Sequence, residues 1–328
     1  MHQSKVRLEL LQAFSEAEGD YVSGQKMSDI LGCSRTAVWK HIEDLRSEGY
    51  ELEAVRKLGY KIIKVPDKIS SNEIQLGLKT NKLGRNIHYE EVVGSTQKIA
   101  HTLASSGAEE GTIVVADQQT EGRGRLSRVW FSPKAKGIWM STILKPEIPL
   151  NKTPQLTLLA AVAIVQAIEE VTDLSPDIKW PNDILLNGKK VVGILTELQA
   201  EADRVHSVII GTGLNINHKL TDFPEELHSI ATSLFLESGK EFDRAKLIQA
   251  ILLKMENLYG QYINHGFKPI KLLWESYAIS LNKDITARTL QGSLKGKAIG
   301  IDDEGVLLLQ TEQGKIEKIY SADIEINS

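Results

Sequence analysis

The chain has 328 residues, 41% hydrophobic and 25% charged, which is long enough for two or three packed domains and too apolar for a disordered protein. A formal net charge of −4 excludes a protein that coats nucleic acid wholesale and leaves any DNA contact to a local patch. The single cysteine, Cys33, excludes an internal disulfide framework, and no Cys/His cluster has zinc-ligand spacing. No run approaches the roughly 18 apolar residues expected of a membrane span. Charges are scattered through Met1 to Ser15 in place of a signal peptide's apolar centre, so the expectation is a cytoplasmic protein with no membrane partner.

Residues 1–65 read as a winged helix-turn-helix. An amphipathic stretch runs from Val6 to Phe14. After a loop, Met27, Ile30 and Leu31 are spaced for one face of a short helix, Gly32 permits a sharp turn, and Ser34 is placed to cap the next helix. Val38, Ile42 and Leu45 continue that helix's buried face, and Gly49 stops it. Arg35, Thr36, Lys40 and His41 lie on the opposite face, with Ser23, Ser34 and Trp39 beside them, where a recognition helix meets bases and phosphates in a major groove. Two alternating segments, Tyr50 to Val55 and Gly59 to Lys64, then form a wing whose tip carries Arg56 and Lys57 to grip flanking phosphates. A packing or dimerisation module is the competing reading. The coincidence of turn spacing and basic tip favours DNA.

Pro66-Asp67 marks a linker, and a second domain, 66–275, begins near Ile69. Ile87 to Thr96 reads as a strand running into a helix over Gln97 to Ser105, capped by Ser95 or Thr96. Gly111 to Asp117 and Gly137 to Leu144 read as strands, and Leu156 to Val171 as an apolar helix. The segments beginning at Asp177, Lys190 and Val205 add strands to a mixed sheet with helices packed on it. Residues 276–328 hold short strands at Asp284 to Leu290, Leu294 to Ile301, Val306 to Gln310 and Glu317 to Ser321, which read as a small β-barrel. The whole is an α+β multidomain protein.

The chemistry concentrates in the loop Gly122-Arg123-Gly124-Arg125, continued by Arg128 and Trp130, about fifty residues before Lys179-Trp180-Pro181-Asn182-Asp183. Glycine lets backbone approach a ligand closely, and arginine offers a fixed fork of donors for phosphate or carboxylate oxygens. A solvated basic loop is the plain alternative when this loop is taken alone.

Together with Gly94-Ser95-Thr96, Gln119, Gly188 to Gly193 and Gly211 to Asn217, these motifs, in order and over the whole length, closely resemble the biotin protein ligase family. With the N-terminal winged helix, the resemblance is to its bifunctional bacterial form, biotin ligase and repressor of the biotin operon. It implies a central biotin/lipoate ligase-like catalytic domain and a C-terminal SH3-like barrel. It also implies a two-step reaction, in which biotin and MgATP give biotinyl-5'-AMP and a lysine of the biotin carboxyl carrier protein takes the biotinyl group. The same likeness assigns Arg123, Arg125, Arg128, Lys190 and Asp183 to catalysis, Asp183 also to Mg2+. Ser95, Thr96, Gln97, Gln119, Arg123, Gly124, Arg125 and Lys190 go to biotin, with Gly137 and apolar neighbours as walls. Arg125, Arg128, Trp130, Asn182, Asn215 and Phe223 go to the nucleotide, with His218 to Ser229 as a loop over the adenylate. Biotinyl-5'-AMP is then corepressor as well as intermediate, driving a homodimer onto operator DNA. Two alternatives remain on the sequence: a non-catalytic biotin-sensing repressor, and a lipoate or octanoate ligase.

Overall fold

A computed structural model describes residues 2–17, 19–66, 69–201 and 204–327; Asp67 of the expected linker lies outside them. The chain divides into two compact units between Leu78 and Lys79.

In the first unit, helices α1 (His2–Glu16), α2 (Gly24–Leu31) and α3 (Arg35–Ser47) are followed by strands β1 (Glu51–Val55) and β2 (Gly59–Lys64) and a short helix α4 (Ser71–Gln75). Ser23 and Ser34 accept hydrogen bonds from Lys26 N (3.1 Å) and Ala37 N (3.2 Å), which caps α2 and α3. Gly32 ends α2 in the left-handed conformation. Leu10, Leu11 and Phe14 of α1 close a core with Met27, Val38, Ile42, Leu45 and Tyr50. Ile30, expected on the buried face, is instead 42% exposed. In a helix of barely two turns, Met27 and Leu31 set the inward line, and Ile30 projects to its side.

The sequence reading contained no α4. Its Glu73 is 5% exposed and accepts from Arg7 Nη2 (2.9 Å), Tyr50 Oη (2.6 Å) and Ser70 Oγ, which ties α4 to α1 and to the end of α3. Burial pushes the Glu73 carboxyl up, but the hydrogen bonds from Ser70 and Tyr50 and the charge of Arg7 outweigh it and leave the group below its ordinary range.

The second unit is built on a seven-stranded mixed sheet in the order β3-β4-β5-β9-β8-β7-β6, from β3 (Ile87–Val93), β4 (Ile113–Gln119), β5 (Gly137–Leu144), β6 (Asp177–Lys179), β7 (Asp183–Leu186), β8 (Lys189–Glu201) and β9 (Arg204–Asn215). Only β3 and β4 run parallel, as the crossover helix α5 (Thr96–Ser105) between them requires. Helix α6 (Thr153–Thr172) packs against the sheet and against α8 (Arg244–His265), with α7 (Leu234–Ser238) before α8 and α9 (Lys268–Tyr277) after it. By length and composition, Leu150–Thr172 is apolar enough to cross a membrane, contrary to the expectation that no run would be; 72% of that window is buried inside the protein, so it serves as a core helix. Arg244 at the start of α8 is 0% exposed and donates to Asp117 Oδ1 of β4 at 2.9 Å, while Tyr89 donates to Asp117 Oδ2 at 2.8 Å. This buried pair joins residues too far apart in the chain for any local pattern to reveal.

Strands β10 (Asp284–Thr289), β11 (Gly292–Ile301), β12 (Leu307–Gln310), β13 (Ile316–Ile319) and β14 (Asp323–Ile326) form an antiparallel sheet in the order β13-β12-β11-β10-β14. The sequence reading lacked β14. This sheet docks on the seven-stranded part of the unit through Trp180 Nε1 donating to Gly305 O at 3.3 Å and Gln155 Nε2 of α6 donating to Asp303 O at 2.7 Å.

Candidate active site and nucleic-acid interface

A cavity of about 520 Å³ opens over the sheet, a size suited to a small-molecule site. Of the residues that the family resemblance assigns to biotin, nucleotide or catalysis, Ser95, Thr96, Gln97, Gln119, Arg123, Gly124, Arg125, Arg128, Trp130, Asn182, Asp183, Lys190, Asn215 and Phe223 line its wall. Gly137 does not; it is buried behind the wall, where its carbonyl accepts from Arg244 at 3.3 Å.

One end of the cavity is neutral and polar. Gln119 Oε1 accepts from Thr96 N (2.9 Å) and Thr96 Oγ1 (3.0 Å), and Gln119 Nε2 donates to Ser132 Oγ (3.0 Å). Ser95 occupies the cap position of α5 without a side-chain capping bond, so the helix's first donor is taken by Gln119 and not by either residue expected to cap it. Thr96 Oγ1 lies 2.9 Å from Ser141 Oγ, which donates to Gln97 Oε1 at 2.9 Å, and Gln97 Nε2 donates to Ile209 O at 3.2 Å. Amides and hydroxyls locked by their neighbours in this way recognise an uncharged ligand with both donors and acceptors.

Another part of the wall is cationic. The arginine loop is a tight hairpin: Trp130 N donates to Gly122 O at 2.9 Å and Gly124 N to Arg128 O at 2.8 Å. A side chain at Gly122 would put its Cβ 2.3 Å from Trp130 O, so close backbone approach requires glycine there. The left-handed turn itself falls on Leu126 and Ser127 (φ 53° and 58°), neither of them a residue type that favours that conformation. Arg125 donates to Asn182 Oδ1 at 2.9 Å and to Ser321 Oγ at 2.6 Å, and Arg128 pairs with Asp323. Asn182 and Arg125 therefore meet, whereas Asp183 turns to Lys190: Nζ and Oδ1 lie 2.6 Å apart, outside hydrogen-bond alignment. The bond from Arg128 is the main influence holding the Asp323 carboxyl below its usual range.

An indole, that of Trp130, also lines the wall. Gly193 of β8 pairs with Gly213 of β9, and a Cβ on either would lie 2.8 Å and 2.3 Å from the Trp130 ring, so the ring rests on bare backbone. Lys190 Nζ stands 5.3 Å from the centroid of that ring. The 216–233 segment closes the wall: Asn215 Nδ2 donates to Thr232 O at 3.1 Å, and the Lys190 backbone bonds Ile230 and Thr232 at 2.9 Å each. Phe223 stacks on His218 at 4.6 Å between ring centroids. His218 is 0% exposed, and burial pushes its imidazole down to about 4.

The first unit presents the other interface. Arg35, Thr36, Lys40, Arg56 and Lys57 are exposed, and Trp39 is 54% exposed in the middle of α3. His41 is half-buried, 3.9 Å from Asp44. Arg35 donates to Gln25 Oε1 at 2.7 Å, which aligns it across the turn between α2 and α3. Ser23 and Ser34 serve as caps, a role that leaves their hydroxyls at the helix N-termini where a phosphate would approach.

Comparison with known proteins matches three segments of the chain. The profile "Biotin/lipoate A/B protein ligase family" matches residues 89–215, "HTH domain" matches 6–61, and "Biotin protein ligase C terminal domain" matches 280–326. The chain is 63% identical to "Bifunctional ligase/repressor BirA" of Bacillus spizizenii over 98% of this chain and 99% of that one. It is 26% identical to the Escherichia coli protein of the same description over 95% of each. Among solved structures, "Biotin protein ligase from Aquifex aeolicus in complex with biotin and ATP" superposes with a TM-score of 0.64 at 32% identity, covering 74% of this chain and 99% of that one. The chain belongs to the biotin protein ligase family, in the form that carries an N-terminal helix-turn-helix domain.

Proposed function

We propose that the chain is an ATP-dependent biotin ligase that forms biotinyl-5'-AMP, transfers the biotinyl group to a lysine of the biotin carboxyl carrier protein, and represses biotin genes as a DNA-binding protein. The observation that carries the reading is the meeting of neutral amide and hydroxyl groups with arginines and a lysine in one cavity, in a chain whose first unit has a wing and a helix that expose cations. The neutral end suits the ureido head of biotin, held by Ser95, Thr96, Gln97 and Gln119.

In the first step a biotin carboxylate oxygen bonds to the α-phosphorus of ATP, and the bond to the departing pyrophosphate breaks. Two anions must approach, so Arg123, Arg125 and Arg128 offset the repulsion and the charge gathering at phosphorus, while Lys190 holds the carboxylate. Asn182 fixes Arg125, Trp130 and Phe223 wall the nucleotide, and Asn215 secures the loop around the adenine. In the second step the carrier lysine's amine attacks the mixed anhydride carbonyl, AMP leaves with the electron pair of the broken C–O bond, and Asp183 takes the amine's proton. No covalent enzyme intermediate is needed, because adenylation has already activated the acyl group.

Among the described residues no group of three or more His, Cys, Asp or Glu could hold a metal ion. Mg2+ commonly needs only one or two carboxylates when phosphates supply its other ligands, and Asp183, whose Oδ1 lies 2.6 Å from Lys190 Nζ, would take that role once the lysine turns to the biotin carboxylate. Mg2+ supplies neutralising charge at the phosphates.

For repression, the adenylate would order the loops around the cavity and complete a self-complementary face, so that a dimer sets two α3 helices on two half-sites. The carrier protein and a second copy would compete for that face, in the cytoplasm where ATP and operator are both at hand. The test is incubation of the chain with biotin, MgATP and carrier domain, followed by mass spectrometry of the carrier lysine. Sedimentation and operator binding are measured with and without biotin and ATP. Unmodified carrier refutes the ligase, and a monomer under saturating adenylate refutes the dimer mechanism.

A further inference from the structure

The second unit carries another cavity, a groove of about 1400 Å³ that shares no lining residue with the first. Segments far apart in the chain build it: 81–83, the 145–152 loop after β5, the junction of α8 with α9, and the turn at 303–304. Small-molecule sites typically occupy about 300–1,000 Å³, so the groove is wide enough for a stretch of polypeptide. Its walls are tied together in advance. Glu256 of α8 accepts from backbone at both oxygens, Oε1 from Asn81 N (2.6 Å) and Oε2 from Lys82 N (2.7 Å) and Leu83 N (2.9 Å). Tyr259 donates to Glu110 Oε1 at 2.8 Å, Tyr262 to Gln155 Oε1 at 2.6 Å, and Asn151 to Glu304 Oε1 at 2.7 Å. A groove held in this way has little left to order when it is filled.

Five lysines and five carboxylates line it, so no net field draws in a polyanion such as nucleic acid. The charges are unequally available at short range. Glu256, Glu110 and Glu304 have oxygens occupied by the donors just named, and Asp303 has Lys271 at 3.4 Å. Lys145, Lys152 and Lys268 make no ion pair among the described residues, against Glu147 alone of the carboxylates. Beside them Ile263 of α8 and Leu272 of α9 are 52% and 61% exposed. Free ammonium groups next to exposed aliphatic side chains, in a groove without net charge, match a segment that alternates carboxylates with apolar side chains.

We infer that this groove docks an acidic, apolar segment of a partner protein, apart from the ligand cavity. The test measures, by fluorescence anisotropy, binding of a labelled peptide alternating Glu with Leu and Phe to the full chain, and locates it by hydrogen exchange. The peptide should protect 81–83, 145–152 and 263–272. Its affinity is expected to fall about five- to ten-fold in the double variant Lys152→Glu/Lys268→Glu and about five-fold in Leu272→Ser. Arg125→Ala and saturating biotin with ATP should leave it unchanged, and a peptide with Lys in place of Glu should not bind. All three substituted positions are exposed, so these variants should unfold at the native temperature.

Absence of binding, binding that the charge reversal leaves intact, or displacement by biotin and ATP overturns the inference. Binding of a short unrelated DNA duplex that depends on the lysines but not on Leu272 also overturns it and assigns the groove to phosphate backbone. Self-association without biotin or ATP that Lys268→Glu abolishes overturns it in favour of a second copy of the chain.

Discussion

Lys190 Nζ lies 2.6 Å from Asp183 Oδ1 across strands β8 and β7, so the cation proposed to receive the biotin carboxylate already has a carboxylate partner. Ligand and Asp183 must share or exchange that ammonium. Lys190→Ala should weaken biotin binding by about 2 kcal/mol, the size of a charge-assisted hydrogen bond. Asp183→Asn should leave biotin binding in the absence of ATP as tight or tighter, yet slow exchange about a hundred-fold, by loss of the metal ligand. Calorimetric titration of biotin beside the exchange assay checks this, and weakened biotin binding in Asp183→Asn would make the pair structural.

The Gly193–Gly213 floor makes a packing prediction. In Gly213→Ala the new Cβ would stand 2.3 Å from Trp130 Nε1, and the overpacking should cost about 1–3 kcal/mol in urea unfolding. In a Trp130→Ala background the same change should be nearly silent. Equal costs in both backgrounds would show that the ring is not what the glycine accommodates.

The DNA interface separates positioning from reading. Lys57→Ala at the wing tip should weaken operator and unrelated DNA alike and reduce the slope of log affinity against log salt by about 1. Arg35→Ala or Lys40→Ala on α3 should cost about 1–3 kcal/mol on operator and less on unrelated DNA. Salt titrations on both DNAs read the difference.

His218 predicts a pH window. Its folded-state value, about 4, lies below the ordinary 6.5 because burial disfavours the imidazolium. Stability from the neutral ring stacked on Phe223 is therefore complete above about pH 6.5 and is lost as pH falls toward 4. Hydrogen exchange across 216–233 should accelerate in that window, and His218→Phe should flatten the dependence. An unchanged profile in that variant would assign the acid sensitivity elsewhere.

The parts legible in the sequence are those where a local rule decides. Ser34 capping α3 and Gly32 ending α2 follow from short-range geometry, and the mixed sheet follows from segments long enough to show their period. The cavity wall was legible through the family resemblance, which carries long-range information that no single motif holds. What was missed is long-range: Gln119 taking the α5 cap, the Asp117–Arg244 pair, and Ser321 and Asp323 on the arginine loop. A signal for the last was present in β14, whose alternation Asp323-Ile324-Glu325-Ile326 marks a strand of four residues, the same length as β13.

The central claim is adenylation of biotin by the arginine end of the cavity. Biotin-dependent exchange of labelled pyrophosphate into ATP, with lipoate as control acid and Arg125→Ala beside the native chain, tests it most directly. The account predicts exchange with biotin, none with lipoate, and a loss of about a hundred-fold in Arg125→Ala. Absence of exchange with biotin, or full activity in Arg125→Ala, would contradict it.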